Sequence, residues 1–314
     1  MTERIRISLK DIVNNEERMA SGHRLCGGCG EPTVMRMILH AVEGPVVVST
    51  ATGCLEVSTT VYPTTAWRLP WIHSAFENAA TTISGVEAAY LALKRSGKIP
   101  ADQDIKFLAV GGDGASYDIG FQWISGALER GHKFVYVCLN NEAYMNTGIQ
   151  RSGATPLGAN TTTSPVGDVL QGKTQWRKPF TRIMAAHDIP YVAQASPHNY
   201  RDLMMKAKKA FAADGPAVLN VLAPCPRGWR TESDQTMALT KLAADTCYWP
   251  LYEVDRGKTI VNYKPREKQP VSEWLKAQGR FRHLFRPANA GIVEEVQEHI
   301  DREWERLLKE EAAG

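Results

Sequence analysis

The 314-residue chain is 43% hydrophobic and 23% charged, a balance that supports a sizeable folded core and excludes a disordered, collagen-like or coiled-coil protein. Lys and Arg number 37 against 34 Asp and Glu, and a formal charge of +3 is too near neutrality for the electrostatic footprint of a dedicated nucleic-acid binder. No window approaches the roughly 18 apolar residues of a membrane span, and Met1-Thr2-Glu3-Arg4-Ile5-Arg6 leads into no apolar signal core, so no membrane partner and a cytoplasmic location are expected.

In chain order, the first landmark is Cys26-Gly27-Gly28-Cys29-Gly30, a tight cysteine pair in a chain whose other cysteines, Cys54, Cys138, Cys225 and Cys247, stand singly. Six cysteines are too few for a disulfide scaffold, so their spacing matters more than their number. A β-branched run, Val46-Val47-Val48-Ser49-Thr50, reads as a buried strand, and Ile83, Val86, Tyr90 and Leu93 follow at helical spacing. Phe107 to Val110 reads as the next strand. Ile119, Trp123, Ala127 and Leu128 then mark a helix, and Phe134 to Leu139, Tyr191 to Ala193 and Val218 to Leu222 mark further strands. This alternation predicts an α/β fold, a mostly parallel sheet with helices on both faces. Pro224, Pro226 and Gly228 then break the pattern, so residues 1–228 are expected to form one domain. Residues 229–314 are expected to be an irregular extension that contacts other subunits, ending in a charged helix from about Ile292 to Lys309.

Two constellations carry chemistry. Gly111-Gly112-Asp113-Gly114-Ala115-Ser116 follows one strand and opens a helix, and Asn140-Asn141-Glu142-Ala143-Tyr144 follows the next strand. Both fall at carboxyl ends of neighbouring strands, where open parallel sheets bind ligands. Glycines admit a phosphate close to the backbone, and Asp113 with the side-chain oxygen of Asn141 offers hard ligands to Mg²⁺. A diphosphate bridged by Mg²⁺ fits the pair better than two unrelated turns do.

The second constellation is Cys26, Cys29, Cys54 and Cys225. A C-x-x-C presents two thiolates from one turn, and Cys54 and Cys225, each just after a strand, can close a four-thiolate site if the fold gathers them. Zinc, a redox-active dithiol and unligated cysteines remain open from spacing alone. Cys138, inside a strand, and Cys247 read as packing residues. His73, Glu77 and Asn78 are expected on a helix as capping or solvated residues ahead of a role as active-site polar groups, and Lys206, Lys208 and Lys209 as a solvated face ahead of a basic cluster that meets an acidic electron acceptor.

The Gly-Asp-Gly and Asn-Asn pair resembles the thiamine diphosphate signature. Together with Gly22-His23-Arg24-Leu25-Cys26-Gly27-Gly28-Cys29-Gly30-Glu31, Ala51-Thr52-Gly53-Cys54-Leu55-Glu56, Trp71 to Asn78 and Asn140 to Gly148, the chain resembles the β subunit of a 2-oxoacid:ferredoxin oxidoreductase over most of its length. The resemblance is to the pyruvate branch, which also includes oxalate oxidoreductase. It implies that Cys26, Cys29, Cys54 and Cys225 hold a [4Fe-4S] cluster, and that Asp113, Asn141 and the carbonyl of Ala143 hold Mg²⁺. Glu31, Cys54, Gly112, Asp113, Gly114 and Ala115 match thiamine diphosphate contacts, as do Asn141, Glu142, Ala143, Tyr144, Met145 and Asn146. Asn146 is the match nearest the reacting end and the expected catalytic residue. The implied reaction is oxidative decarboxylation of a small 2-oxoacid, with electrons passing one at a time to the cluster and onward to ferredoxin. Pyruvate would require coenzyme A and oxalate would not. The implied partners are α and ferredoxin-like subunits, because the chain lacks the eight-cysteine run of a two-cluster ferredoxin. The group that protonates the thiamine ring and the cations that select substrate are expected from a partner chain, Arg151 being the nearest cation downstream of the two thiamine segments. A non-redox thiamine decarboxylase or carboligase component and a zinc-stabilised assembly subunit are the alternatives.

Overall fold

The computed structural model describes residues 7, 12 and 15–314. The first six residues, noted above for lacking an apolar signal core, lie outside the described residues. An eight-stranded sheet runs in the order β2-β1-β3-β4-β6-β5-β7-β8. Its strands are β1 (Val46–Ala51), β2 (Trp71–Ser74), β3 (Lys106–Gly112), β4 (Val135–Asn140), β5 (Tyr191–Ala195), β6 (Ala217–Leu222), β7 (Tyr252–Asp255) and β8 (Lys258–Val261). The pairs among β1 to β6 are parallel, and β7 and β8 are added antiparallel at one edge.

Helices α1 (Gly30–Ala41) and α6 (Tyr200–Ala212) cover one face of the sheet, where Val34, Met35, Ile38 and Leu203 pack against Val48, Leu108, Val137 and Leu219. Helices α3 (Ala79–Arg95) and α4 (Phe121–Glu129) cover the other, with Ile83, Ile124 and Ala127 against Phe107, Ala109 and Tyr136. Burial on both faces explains why the central strands read as continuous apolar runs. A short helix, α2 (Cys54–Thr59), follows β1, and α5 (Phe180–Ala185) precedes β5. Among the described residues no helix is long and apolar enough to cross a membrane.

Four expectations need correction. Ile119 and Trp123 are exposed rather than facing the core, because Gly114–Ile119 is a π-helical segment and its wider turn puts the apolar residues of α4 on a new register. His73 lies on β2, a short edge strand, and Asn78 precedes α3 without a side-chain cap. Lys206, Lys208 and Lys209 are not a shared solvated face. Lys206 is buried on Asp202 and the Gln194 carbonyl, Lys209 pairs with Glu253 at 2.6 Å and Lys208 with Glu43 at 3.4 Å. The stretch ahead of the expected C-terminal helix is not irregular: α7 (Pro226–Trp229), α8 (Thr236–Asp245) and α9 (Val271–Lys276) join that helix, α10 (Ala290–Ala313), in a third core around Trp229, Trp249, Trp274 and Phe281, and the β7–β8 hairpin packs on α10 through Tyr252, Val261 and Leu307. The hairpin turns through Arg256 and Gly257, both at positive φ, as a two-residue turn requires.

Candidate active site

The Gly-Asp-Gly and Asn-Asn segments, Cys54 and Cys225 come off one end of four adjacent strands, β1, β3, β4 and β6, and Cys26 and Cys29 lie on the turn that leads into α1. Register sets this up: Thr50 pairs with Val110, Gly112 with Leu139 and Asn140 with Leu222, so the strands finish nearly level. The chain order reverses direction between β1 and β3, since β2 lies on one side of β1 and β3 on the other. Crevices at such switch points are where open parallel sheets take ligands. Here the crevice is a cleft of about 530 Å³, open to solvent, formed by Thr50–Leu55, Val110–Ala115, Glu31, Phe76 and Asn141 with Ala143–Thr147.

The cleft's chemistry centres on two buried acids. Asp113 is fully buried; its Oδ2 accepts from the Ser152 hydroxyl and its Oδ1 has no partner. Glu31 is 3% exposed; its Oε1 accepts from Asn141 Nδ2 at 2.9 Å and its Oε2 has no partner. Burial pushes both carboxyls up, to about 7 in each case, against the opposing hydrogen bonds from Ser152 and Asn141. An unpartnered carboxylate oxygen facing a cleft fits a cation or a hydrogen-bond donor on a ligand. Asn141 Oδ1 and the Ala143 carbonyl lie on the next loop, so the donor set is all oxygen, as Mg²⁺ prefers. The backbone leaves room for a diphosphate: a Cβ on Gly112 would meet nothing within 4 Å, whereas one on Gly114 would enter the Tyr144 ring at 2.2 Å. The Tyr144 hydroxyl donates to the Gly114 carbonyl at 3.2 Å, locking the two loops together.

One predicted contact turns away. Glu142 is not a cleft-lining residue: at φ +69° its side chain points into the C-terminal core, where Arg280, Tyr248 and Arg177 hold the carboxylate. Only its backbone can serve the cleft. Arg151 is also outside it, with its guanidinium on Gln175 at 3.3 Å, and among the described residues no Arg or Lys lines the cleft. His73 reaches the rim, its Nε2 2.7 Å from the Thr52 hydroxyl.

The cysteines converge by backbone contacts. The Gly30 amide donates to the Pro224 carbonyl at 2.9 Å, tying the C-x-x-C turn to the loop of Cys225. A Cβ on Gly28 would strike the Ser233 backbone at 2.1 Å, and one on Gly228 would strike the Met145 sulfur at 2.2 Å, so these turns and the Asn141–Asn146 loop interlock. Burial, and then the charges of neighbouring cysteines and Glu31, push the Cys29, Cys54 and Cys225 thiols up. Cys54 and Asn146 both line the cleft, which places them at the border of thiols and cleft. Among the described residues no three His, Cys, Asp or Glu side chains are grouped tightly enough for a single metal ion. Cys138 and Cys247 are buried away from this group, as packing residues.

Residues 51–221 match the family described as thiamine pyrophosphate enzyme, C-terminal TPP binding domain. The chain is 54% identical to pyruvate synthase subunit PorB of Thermotoga maritima over 95% of its own length and 94% of the relative. It is 39% identical to ketoisovalerate oxidoreductase subunit VorB of Pyrococcus abyssi over 94% of its length and 93% of the relative. Among solved structures, a 2-oxoglutarate:ferredoxin oxidoreductase from Magnetococcus marinus shares the fold, with a TM-score of 0.55 at 18% identity over 73% of this chain and 81% of that one.

Proposed function

The chain belongs to the family of β subunits of thiamine pyrophosphate-dependent 2-oxoacid:ferredoxin oxidoreductases, and from that premise we propose that it acts on pyruvate, holding Mg²⁺·thiamine diphosphate in the β1–β3–β4 cleft and a [4Fe-4S] cluster on Cys26, Cys29, Cys54 and Cys225. The observation that carries the reading is the pair of buried carboxyl oxygens, Asp113 Oδ1 and Glu31 Oε2, left without partners in one cleft. Asp113, Asn141 and the Ala143 carbonyl would hold Mg²⁺. The backbone of Gly112, Gly114 and Ala115 would admit the diphosphate, and Glu31, Cys54, Tyr144, Met145 and Asn146 would line the rest. When bound, thiamine diphosphate supplies the carbon nucleophile for decarboxylation and the cluster takes up electrons singly. This chain's own part is to bind and orient the cofactor, and to bring thiols and Asn146 beside it.

Zinc is disfavoured as the occupant of the thiols, since it needs four ligands converging at about 2.3 Å on one ion. A four-iron cluster is ligated at four separate irons and needs no such convergence. The name of the relative at 54% identity favours pyruvate, and that of the relative at 39% identity names a branched oxoacid. With no Arg or Lys lining the cleft among the described residues, the cations that grip substrate are assigned to the α subunit, and onward transfer to a ferredoxin-like subunit and ferredoxin. The 229–314 region would supply part of the subunit contacts. The test is anaerobic viologen or ferredoxin reduction by the whole complex, with iron and sulfide analysis. Coenzyme A-dependent reduction by pyruvate, with about four irons per copy of this chain beyond those of the ferredoxin-like subunit, is expected. Coenzyme-independent reduction by oxalate would move the chain to that enzyme, preference for 2-oxoisovalerate would overturn the pyruvate assignment, and an iron-free active chain would overturn the cluster.

A further inference from the structure

We propose that Arg280, in the C-terminal region, is a positioning residue for the cofactor loop: it holds Asn141–Ala143 in the shape that grips Mg²⁺ and diphosphate, acting through Glu142 and Trp229. The proposal rests on the reading of that loop given above.

Glu142 stands between Asn141 and Ala143 with φ +69°, a left-handed conformation that disfavours any residue with a Cβ. Such strain persists only where the surroundings over-determine it. Here they do. The Glu142 carboxylate is 0% exposed and accepts from Arg280 Nη2, from the Tyr248 hydroxyl and, at 3.4 Å, from Arg177 Nη1. Its backbone carbonyl accepts from the Thr155 hydroxyl at 2.7 Å. Arg280 is itself 2% exposed and is fixed by Gln278 Oε1, 2.9 Å from its Nε and 2.7 Å from its Nη2. The same guanidinium lies 4.3 Å from the Trp229 ring, and Trp229 Nε1 donates to the Asn141 carbonyl at 2.8 Å. One side chain therefore reaches both neighbours in the loop, Glu142 directly and Asn141 through an indole. A buried ion pair seldom stabilises a fold more than apolar packing of equal volume. Its placement on a strained residue between two cofactor-binding positions gives it a specific use: the peptide planes that aim the Asn141 side chain and the Ala143 carbonyl are set by a tether on the far side of the loop.

The test uses the whole complex, stripped of cofactor, with two readouts: calorimetric affinity for Mg²⁺·thiamine diphosphate and the melting temperature without cofactor. Arg280→Met should weaken binding about 10- to 100-fold, as loss of a residue that orients metal ligands does, and also lower the melting temperature by leaving Glu142 buried and unpaired. Glu142→Gln/Arg280→Met should recover the melting temperature and not the affinity, which a merely structural pair would not do. Arg280→Lys should fall between, keeping the charge and losing the planar fork. Tyr248→Phe, the mildest change, should reduce affinity in the same direction with a smaller fall in melting temperature than Arg280→Met, and it decides the matter if Arg280→Met does not fold. Wild-type affinity in Tyr248→Phe, or in the double variant, overturns the proposal. Asp113→Ala separates the two ideas: if it abolishes binding while Tyr248→Phe binds normally, the brace fails and the cofactor reading stands, and if it binds normally both fail.

Discussion

Asp113 and Glu142 are both fully buried acids on loops that leave neighbouring strands, and the fold treats them in opposite ways. Glu142 meets two guanidiniums and a phenol, and its hydrogen bonds are complete within the chain. Asp113 meets one hydroxyl, keeps an oxygen without a partner, and its carboxyl is pushed up to about 7, chiefly by burial. Glu31, across the cleft, repeats the second pattern. A carboxylate taken from water without a compensating charge costs several kcal/mol, roughly the scale of a domain's whole stability. The C-terminal core is closed on itself, whereas the cleft keeps two unpartnered acid oxygens at the place proposed for a cation and its cofactor.

The thiols at the border of the cleft give the largest expected effect. Cys54→Ser removes a proposed cluster ligand that also faces the cofactor, and oxygen is a poorer ligand than thiolate for iron–sulfur centres. Iron content should fall and oxidative activity drop to background, and normal values of both would break the link between thiols and cleft. Asn146→Ala should lower kcat on the order of 100-fold, the scale of losing a hydrogen bond made at the reacting end. Its cofactor affinity should change far less, so an equal loss in both would assign Asn146 to the cofactor loop alone.

The pH dependence of the cofactor-free chain is the smallest effect and sharpens the contrast. Glu31 keeps its proton in the folded chain up to about pH 7, against an ordinary value of 4.5, so its contribution to stability is present below about pH 4.5 and is lost as pH rises to about 7. Glu31→Gln should flatten that decline. The difference in melting temperature between wild type and variant should change by a few degrees across this window and stay constant above it. A constant difference throughout would mean that Glu31 already has a partner in the chain.

Much of the cleft was legible from sequence because its residues are local to strand ends: Gly-Asp-Gly after β3, Asn-Asn after β4 and Cys54 after β1 need only the strand positions to be placed. What governs the back of the cofactor loop was not legible. The contact of Glu142 with Arg280 spans 138 positions, and nothing near either residue announces the other. The direction of the Glu142 side chain follows from one positive φ, and a glutamate carries no sequence signal for that conformation. The β7–β8 hairpin did have a signal, a Gly at position 257 inside a two-residue turn between apolar alternations, masked by the prolines that precede it. The apolar period through Ile119 and Trp123 misled because a π-helical segment is indistinguishable from an α-helix by residue type.

Asp113 is either an unfinished site or a structural acid, and one melting experiment on the complex separates the two. Asp113→Asn keeps the shape of the side chain and removes the buried charge, so without cofactor the variant should melt at or above the wild-type temperature at pH 8. Mg²⁺·thiamine diphosphate should raise the melting temperature of wild type and leave that of the variant unchanged, since ligand stabilisation follows affinity. A variant that melts lower without cofactor, yet is stabilised by it as wild type is, would contradict the assignment.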